Sequence, residues 1–288
     1  MTGPAAIVVN ELSKAYGPHE AVRGLTFSVR RGEVYGLLGP NGAGKTTTVE
    51  ILEGYRKRDK GEVEVLDTDP ARAAGDWRER IGVVLQSSAM YETLTVDEML
   101  GVFAGYYRSP RPLDEVVELV GLQEKRSIRV RRLSGGQRRR LDLGLALVGD
   151  PELIFLDEPT TGFDPGARRR AWETIRGLRS LGKTILLTTH YLDEAEQLAD
   201  RVAVLRRGEI VASGPPSELT SAVHQTEIRY RDNGREVVLH TDEPTRLLHE
   251  LTSQALGQGR ELDGLVVRRP TLEEVYLSLT EEAEVEPQ

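Results

Sequence analysis

The chain has 288 residues, with 38 basic and 46 acidic side chains, so its formal net charge is −8. This acidic balance argues against a nucleic-acid-binding protein that works through bulk positive charge, and 39% hydrophobic residues exclude a disordered chain. The absence of cysteine removes disulfides, thiolate zinc sites and cysteine nucleophiles.

No apolar run approaches the ~20 residues that a membrane helix needs. The segment Met1–Asn10 also lacks a basic stretch followed by a long apolar run. We therefore expect a chain with no transmembrane segment and no signal peptide.

The first third of the chain reads as short strands around one helix. Strands are predicted at Ala6–Asn10, Ala21–Arg23, Thr26–Arg30, Val34–Leu38, residues 62–66 and Ile81–Leu85. The helix follows Gly39–Thr46 and ends near Gly54. Helices are then predicted at Val96–Tyr107, Leu113–Leu122 and Ser134–Gly149, which makes residues 87–149 a helical subdomain.

Alternating strands and helices continue to a Gly214-Pro215-Pro216 break. Strands are predicted at Leu153–Leu156, Thr184–Thr188 and Val202–Leu205, with a helix from the Asp164 N-cap and Pro165 to Leu181. A smaller α+β unit follows. Its predicted elements are two strands flanking Asn233-Gly234 (Glu227–Arg231, Glu236–His240), a helix at Thr245–Leu256, a strand at Leu265–Arg268 and a helix at Thr271–Leu279. Glu281–Gln288 is predicted to be a disordered acidic tail.

A phosphate-binding loop is predicted at Gly39–Thr46, between a buried strand and a helix. Its glycines let backbone N–H groups approach phosphates, and the helix N-terminus adds partial positive charge. Lys45 is expected to reach the β- and γ-phosphates, and the Thr46 hydroxyl to ligate Mg²⁺. The alternative is a glycine-rich turn with a solvated lysine.

Two acids end the apolar strand Leu153–Leu156 and suit this phosphate site. Asp157 is a candidate for a water-mediated contact with Mg²⁺, and Glu158 can accept a proton from an attacking water. Either acid could instead only cap the turn that follows. Together with the loop, they predict a nucleoside triphosphatase.

The segment Leu133–Gln137 opens a predicted helix with Ser-Gly-Gly-Gln. Free N–H groups and the Ser134 hydroxyl at such a helix start can bind an anion. By itself the segment would pass as an ordinary N-cap. With the phosphate loop before it and the acidic strand after it, the chain resembles the ATP-binding subunit of an ABC transporter over essentially its whole length.

The resemblance implies roles for further residues, each of which alone could be structural. Tyr16 stands where the family stacks an aromatic ring on adenine, and Gln86 matches the glutamine that meets Mg²⁺ and the attacking water. Thr160–Pro165 corresponds to the loop that crosses to the partner subunit, with Phe163 where the family usually has leucine. His190 matches the histidine that contacts the γ-phosphate.

These motifs define the candidate site residues. The catalytic candidates are Glu158, His190 and Gln86, and the metal candidates are Thr46, Gln86 and Asp157. The nucleotide-binding candidates are Tyr16, Gly39, Pro40, Asn41, Gly42, Ala43, Gly44, Lys45, Thr46, Thr47, Ser134, Gly135, Gly136, Gln137 and Asp164.

The resemblance also implies the fold, the cofactors and the partners. It implies an α/β P-loop cassette over residues 1–218, with a parallel core sheet, an antiparallel β subdomain and the helical subdomain, and a small α+β domain over 219–280. Its cofactors would be ATP and Mg²⁺. Its partners would be a second ATP-binding subunit in a head-to-tail, homodimeric arrangement and a membrane-spanning permease at the cytoplasmic face, with no nucleic acid.

The C-terminal Pro270–Thr280 segment is similar to that of daunorubicin-resistance ATP-binding subunits, which serve type-2 ABC exporters. The same residues also suit an amphipathic helix packed on a sheet. The similarity favours export of a drug, antibiotic or other amphipathic cargo, although the sequence encodes no cargo. The alternative is a soluble ABC ATPase that acts on a protein or ribosomal partner.

Overall fold

The computed structural model describes residues 4–85, 90–223, 226–232, 235–268 and 271–281. The chain forms two compact units, Met1–Ser213 and Gly214–Gln288. Each unit has its own sheets and helices. The domain limits and the roles assigned to each domain from the sequence stay a prediction.

The strands are β1 (Ala5–Tyr16), β2 (His19–Arg30), β3 (Val34–Leu38), β4 (Lys60–Val65), β5 (Ile81–Val84), β6 (Leu153–Asp157), β7 (Thr184–Thr189), β8 (Arg201–Arg206), β9 (Glu209–Gly214), β10 (Thr226–Asp232), β11 (Arg235–Thr241) and β12 (Asp263–Arg268). The helices are α1 (Lys45–Leu52), α2 (Gly75–Arg78), α3 (Val96–Ala104), α4 (Leu113–Leu119), α5 (Gly135–Leu147), α6 (Pro165–Ser180), α7 (Leu192–Leu198), α8 (Pro216–Val223), α9 (Pro244–Gly257) and α10 (Leu272–Glu281).

A six-stranded sheet with the order β5-β6-β7-β3-β8-β9 forms the centre of the first unit. Strands β5, β6, β7, β3 and β8 pair in parallel, and every residue of β3 and β7 is buried. Strands covered on both faces have continuous apolar runs, which is why these segments were recognisable in the sequence. Because neighbouring parallel strands end at one edge, the residues after β3, β6 and β7 lie close together.

A second sheet, β2-β1-β4, is antiparallel and packs its apolar residues into the same core as the first. Strand β2 runs unbroken from His19 to Arg30, where the sequence predicted two pieces. Gly24 interrupts the apolar pattern with a positive φ of 63°, a conformation that glycine adopts without steric cost. Pairing with β1 continues on both sides of this glycine, so the strand is not divided.

Helices α3, α4 and α5 lie between β5 and β6 in the chain and share an apolar core. Helix α5 starts at a capping box in which the Gln137 N–H donates to the Ser134 hydroxyl and the Ser134 N–H donates to the Gln137 side chain. This core includes Met99, Leu100, Val116 and Leu141. The predicted α/β fold, with a parallel-rich core sheet, antiparallel sheets and a helical region, is confirmed.

Within its described residues, the second unit is an antiparallel sheet of order β11-β10-β12 with three helices, of which α8 packs against α10. Ile228, Ala255, Leu272 and Val275 are buried in it. The predicted Asn233-Gly234 turn and residues 282–288 of the predicted tail lie outside the described residues. Within the described part of the chain, no helix is both long enough and apolar enough to cross a membrane.

Candidate functional site

The loop Gly39–Gly44 connects the end of β3 to the start of α1. A Cβ atom on Gly39 would lie 2.4 Å from the Leu205 carbonyl oxygen, and one on Gly44 would lie 2.4 Å from that of Ala21. Gly42, with a φ of 82°, faces open space. The loop backbone therefore packs closely against neighbouring backbone at Gly39 and Gly44. It is open at Gly42, where a phosphate group can approach the backbone N–H groups.

Lys45 begins α1 and turns back over this loop. Its ammonium group donates hydrogen bonds to the carbonyl oxygens of Gly39, at 2.6 Å, and Pro40, at 3.2 Å. Burial lowers the pKa of this ammonium group, while the carboxylates of Glu158 and Asp157 act to raise it. A cation held over a phosphate loop and facing two acids is suited to a polyanionic ligand with a metal ion. Thr46, next in the chain, is exposed at the helix N-terminus.

Asp157 ends β6 and Glu158 follows it, and Thr188 of the neighbouring strand β7 fixes both of them. The Thr188 hydroxyl donates to an Asp157 carboxylate oxygen at 2.5 Å, and the Glu158 N–H donates to the Thr188 hydroxyl at 3.1 Å. Glu158 has a φ of 46°, a left-handed conformation that costs a non-glycine residue free energy. The backbone is held there by the surrounding contacts.

His190 directly follows β7 and meets the Glu158 side chain. Its Nδ1 atom lies 3.2 Å from Glu158 Oε1, and the Thr161 hydroxyl donates to Glu158 Oε2 at 3.1 Å. The histidine ring is partly exposed, while the Glu158 side chain is only 11% exposed. The sequence predicted both residues separately, and the structure brings them together as one acid–histidine pair.

Arg139, in the second turn of α5, binds the backbone around this pair. Its guanidinium donates to the carbonyl oxygens of Asp157 at 2.8 Å, Pro159 at 3.2 Å and Glu158 at 3.3 Å, and also to that of Leu85. In the sequence, three consecutive arginines look like a solvated face, so this contact of Arg139 was not predicted. The contacts join helix α5, whose N-terminus carries Ser134, to the backbone of both acids.

The Ser134 end of α5 and the Glu158 loop also line one cavity of about 580 Å³. Ser134–Gln137, Glu158, Thr161, Gly162 and Asp164 contribute to its walls. Asp164 has the predicted capping position, since its carboxylate accepts a hydrogen bond from the Ala167 N–H at 2.8 Å. Ser134, Gly135 and Asp164 are solvent-exposed, so this surface is open to a ligand or a second molecule.

Glu194, which the sequence analysis did not identify, supports the loop from inside. It is fully buried; the Thr160 hydroxyl donates to its Oε1 atom at 2.8 Å and the Trp172 indole donates to the same atom at 3.1 Å. Among the described residues its Oε2 atom has no hydrogen-bond partner. Burial raises the pKa of this carboxyl, which favours the neutral form. Acids and apolar residues alternate in α7, so its sequence does not show that Glu194 is the acid that faces the interior.

Tyr16 ends β1 and is 40% exposed. The Arg56 guanidinium lies 5.2 Å from its ring centroid, and the Lys14 ammonium group lies 5.7 Å from it. The Tyr16 ring thus contacts two cations, and its exposed part can stack on another ring. Gln86, predicted to be catalytic and metal-binding, lies outside the described residues, immediately after β5 and Leu85.

Comparison with known proteins identifies the family of this arrangement. The ABC transporter family model matches residues 22–161. The daunorubicin resistance ATP-binding protein DrrA3 of Streptomyces coeruleorubidus is 39% identical, over 96% of both chains. The chain belongs to the ATP-binding proteins of ABC transporters.

Two further comparisons agree with this assignment. The Nod factor export ATP-binding protein I of Rhizobium meliloti (strain 1021) is 39% identical over 96% of this chain and 88% of that protein. A solved ATP-binding subunit of an ABC transporter is 25% identical and superposes with a TM-score of 0.69, over 96% of this chain and 99% of that one.

As an ABC transporter ATP-binding protein, the chain binds and hydrolyses ATP. The predicted similarity to daunorubicin-resistance subunits is confirmed. The P-loop and the acidic strand end are thus parts of an ATPase, and the predicted nucleoside triphosphatase activity is confirmed. The individual roles assigned to the site residues stay predictions.

Proposed function

We propose that this ATP-binding protein powers export through a separate membrane-spanning partner, working as a head-to-tail dimer at the cytoplasmic face of the membrane. The observation that carries the proposal is the open cavity shared by Ser134 and Glu158, which leaves the N-terminus of α5 exposed beside a complete acid–histidine pair. An exposed anion-binding helix start is suited to ATP held by a second copy of the chain.

Within one copy, Gly39–Thr47 would bind the phosphates, with Lys45 neutralising their charge. Mg²⁺ suits the donors present, since the Thr46 hydroxyl and the Asp157 carboxylate are the hard oxygen ligands that this ion prefers. The ion would neutralise charge that develops on the phosphates. Tyr16 would stack on the adenine ring, and Gln86 would complete the site.

Glu158 would accept the proton of the attacking water, because its carboxylate is oriented by Thr161 and by His190. His190 would hold Glu158 and reach the γ-phosphate. Ser134, Gly135, Gly136 and Gln137 would close over the nucleotide of the other copy, with Asp164 at the crossing loop. Hydrolysis would then remove the γ-phosphate that joins the copies, and so couple nucleotide state to a change in the assembly.

The membrane partner would dock in a groove of about 770 Å³ between the end of α1, strand β5 and helices α3 and α5. We call it the α1–β5 groove; its apolar walls include Val83, Leu85, Phe103 and Leu145. Leu85 at the wall is 50% exposed and Tyr55 at the rim 89% exposed. Large apolar groups left in water at a concave surface favour an interaction site.

The names of the relatives suggest the chemistry of the cargo. One relative confers daunorubicin resistance and the other exports Nod factor. We propose an amphipathic cargo, with drugs or antibiotics as the first class to examine. The subunit described here would supply energy and would not itself contact the cargo.

Purification of the tagged chain in mild detergent from its native cells tests the proposal. We expect a polytopic membrane protein in about equal amount and, in cells that lack the chain, increased retention of daunorubicin measured by its fluorescence. Recovery with ribosomes or a soluble protein instead would favour the alternative, a soluble ABC ATPase. Unchanged retention of daunorubicin would refute that cargo alone.

A further inference from the structure

Glu53 lies at the C-terminal end of α1 and lines the α1–β5 groove. It is 9% exposed, so that more than nine-tenths of the residue is buried. None of the described residues hydrogen-bonds to its carboxyl or forms an ion pair with it. A buried carboxyl without such a partner costs stability, whereas an apolar side chain at the same place would not.

The surroundings of Glu53 favour its pairing with a positively charged group. Burial, together with the negative charges of Asp157 and Glu50, raises the pKa of its carboxyl to about 8. The other ionisable groups that face the groove are Asp142, Arg78, Tyr55 and Tyr107. An approaching cation would favour the ionised form and would gain from the low-dielectric surroundings.

Glu50, also in the groove, differs from Glu53 in having a partner within the chain. Its carboxylate accepts a hydrogen bond from the Arg56 side chain at 2.5 Å. The two acids stand three positions apart on the same helix, in the same groove. One is satisfied by the protein itself and the other is not, which makes Glu50 a matched control.

The walls of the groove favour a long side chain over a free metal ion. The described residues contain no group of three or more acidic, histidine or cysteine side chains that could hold a metal. Lysine and arginine can lay their methylene groups along apolar walls such as those formed by Val83 and Phe103 while their charge reaches an acid beyond. The groove therefore matches an apolar segment that carries one basic side chain.

We infer that Glu53 receives a lysine or arginine side chain that the membrane partner inserts, within an apolar segment, into the α1–β5 groove. The inference rests on the proposed function, since it names the chemistry of the partner at the same docking site. It assigns Glu53 as a residue that selects the partner: a segment with an acidic or purely apolar residue at that point would leave Glu53 unpaired.

Photo-crosslinking in the native cells tests the inference. A photoreactive phenylalanine replaces the exposed Tyr55 at the rim of the groove in the full tagged chain, and the crosslinked segment is identified by mass spectrometry. We expect a segment of a polytopic membrane protein in which apolar residues flank a lysine or arginine. Glu53→Gln should reduce the crosslink yield at least about tenfold, as loss of one member of a buried charge pair does. Glu50→Gln should change it by no more than about twofold.

A charge exchange makes the test independent of the folding of a single variant. Glu53→Arg combined with an acidic replacement of the basic residue in the partner should restore crosslinking that either change alone removes. If the photoreactive residue at position 55 captures no polytopic membrane protein in the chain that keeps Glu53, the proposed function fails and the inference with it. If it captures one whose segment lacks a basic residue, or if Glu53→Gln leaves the yield unchanged, or if the exchange restores nothing, only the inference fails.

Discussion

The carboxyl edge of the central sheet, where Asp157, Glu158 and His190 lie, is called here the nucleotide edge. Its acids have hydrogen-bonding neighbours within the chain, whereas the acid of the α1–β5 groove at Glu53 has none among the described residues. At the nucleotide edge, Asp157 accepts a hydrogen bond from Thr188, and Glu158 accepts one from Thr161 and lies within 3.2 Å of His190 Nδ1. In the groove, Glu53 has no partner among the described residues and is held in the neutral form by burial. Asp157 ends β6 and Glu53 lies at the C-terminal end of α1, and the negative charge of Asp157 acts on Glu53.

The difference indicates what each region needs from outside the chain. In the proposed function, the edge would supply a base, its orienting groups and a phosphate loop, and would need ATP, Mg²⁺ and the helix start of a second copy. In the groove, Glu53 has no partner among the described residues, and the further inference assigns it a basic side chain from the membrane partner. The proposals therefore differ in what the chain itself would supply: a proton acceptor at the edge and one member of a charge pair in the groove.

The largest effect is expected from removing Glu158, the proposed base at the nucleotide edge. Glu158→Gln keeps the shape of the side chain and removes its ability to accept a proton, so turnover should fall by a factor of about 10³ while ATP binding is retained. An ATP-bound dimer should accumulate, as measured by gel filtration with and without ATP. Glu64→Gln, at an exposed position of β4, is the control. Near-normal turnover in Glu158→Gln would show that another group is the base.

The next effect tests whether the edge is completed by a second copy. Ser134→Arg places a bulky cation at the N-terminus of α5, and we expect turnover to fall at least about 100-fold with ATP binding preserved. Combined with Glu158→Gln, it should also prevent the trapped dimer. Ser180→Arg, at the exposed C-terminal end of α6, should have little effect because a cation is favourable there. Loss of ATP binding by Ser134→Arg alone would mean that the site is not shared.

A smaller effect is expected from the guanidinium that joins α5 to the edge. Arg139→Gln cannot serve the carbonyl groups of Asp157, Glu158, Pro159 and Leu85 together. We expect kcat to fall about tenfold with a nearly unchanged KM for ATP, because the base is displaced while the phosphate loop stays intact. Arg139→Lys should recover part of kcat. Arg138→Gln, which removes contacts with Glu92 and the Arg131 carbonyl, is the control. Equal losses in both variants would exclude a positioning role.

The sequence predicted the residues of the nucleotide edge much better than the residues that support them from other elements. Val34–Leu38, for example, was predicted with the bounds that the structure has, because a buried parallel strand must be apolar throughout. Helix α7 and strand β9 were missed: α7 has only seven residues, and β9 alternates between exposed and half-buried positions without a strong apolar pattern. The partners of Arg139 and Glu194, and the burial of Glu53, are set by elements distant in the chain, which no local periodicity reveals.

The last effect concerns stability instead of turnover and isolates the cost of the acid that has no partner among the described residues. The pKa of Glu53 is about 8 in the folded chain, above the ordinary value of 4.5. Between these pH values the unfolded chain has released the proton and the folded chain keeps it, so rising pH destabilises the fold. Glu53→Gln has no proton to lose and should therefore be more stable than the unaltered chain by about 4 kcal/mol at pH 8, with almost no gain at pH 4. Urea unfolding at the two pH values, followed by tryptophan fluorescence, measures this difference.

Glu50→Gln should show no such gain, because Arg56 pairs with Glu50 in the folded chain. A gain that is equal at both pH values would mean that the carboxyl is not the source of the cost. The groove would then contain no acid that destabilises the fold, and in this respect it would not differ from the nucleotide edge.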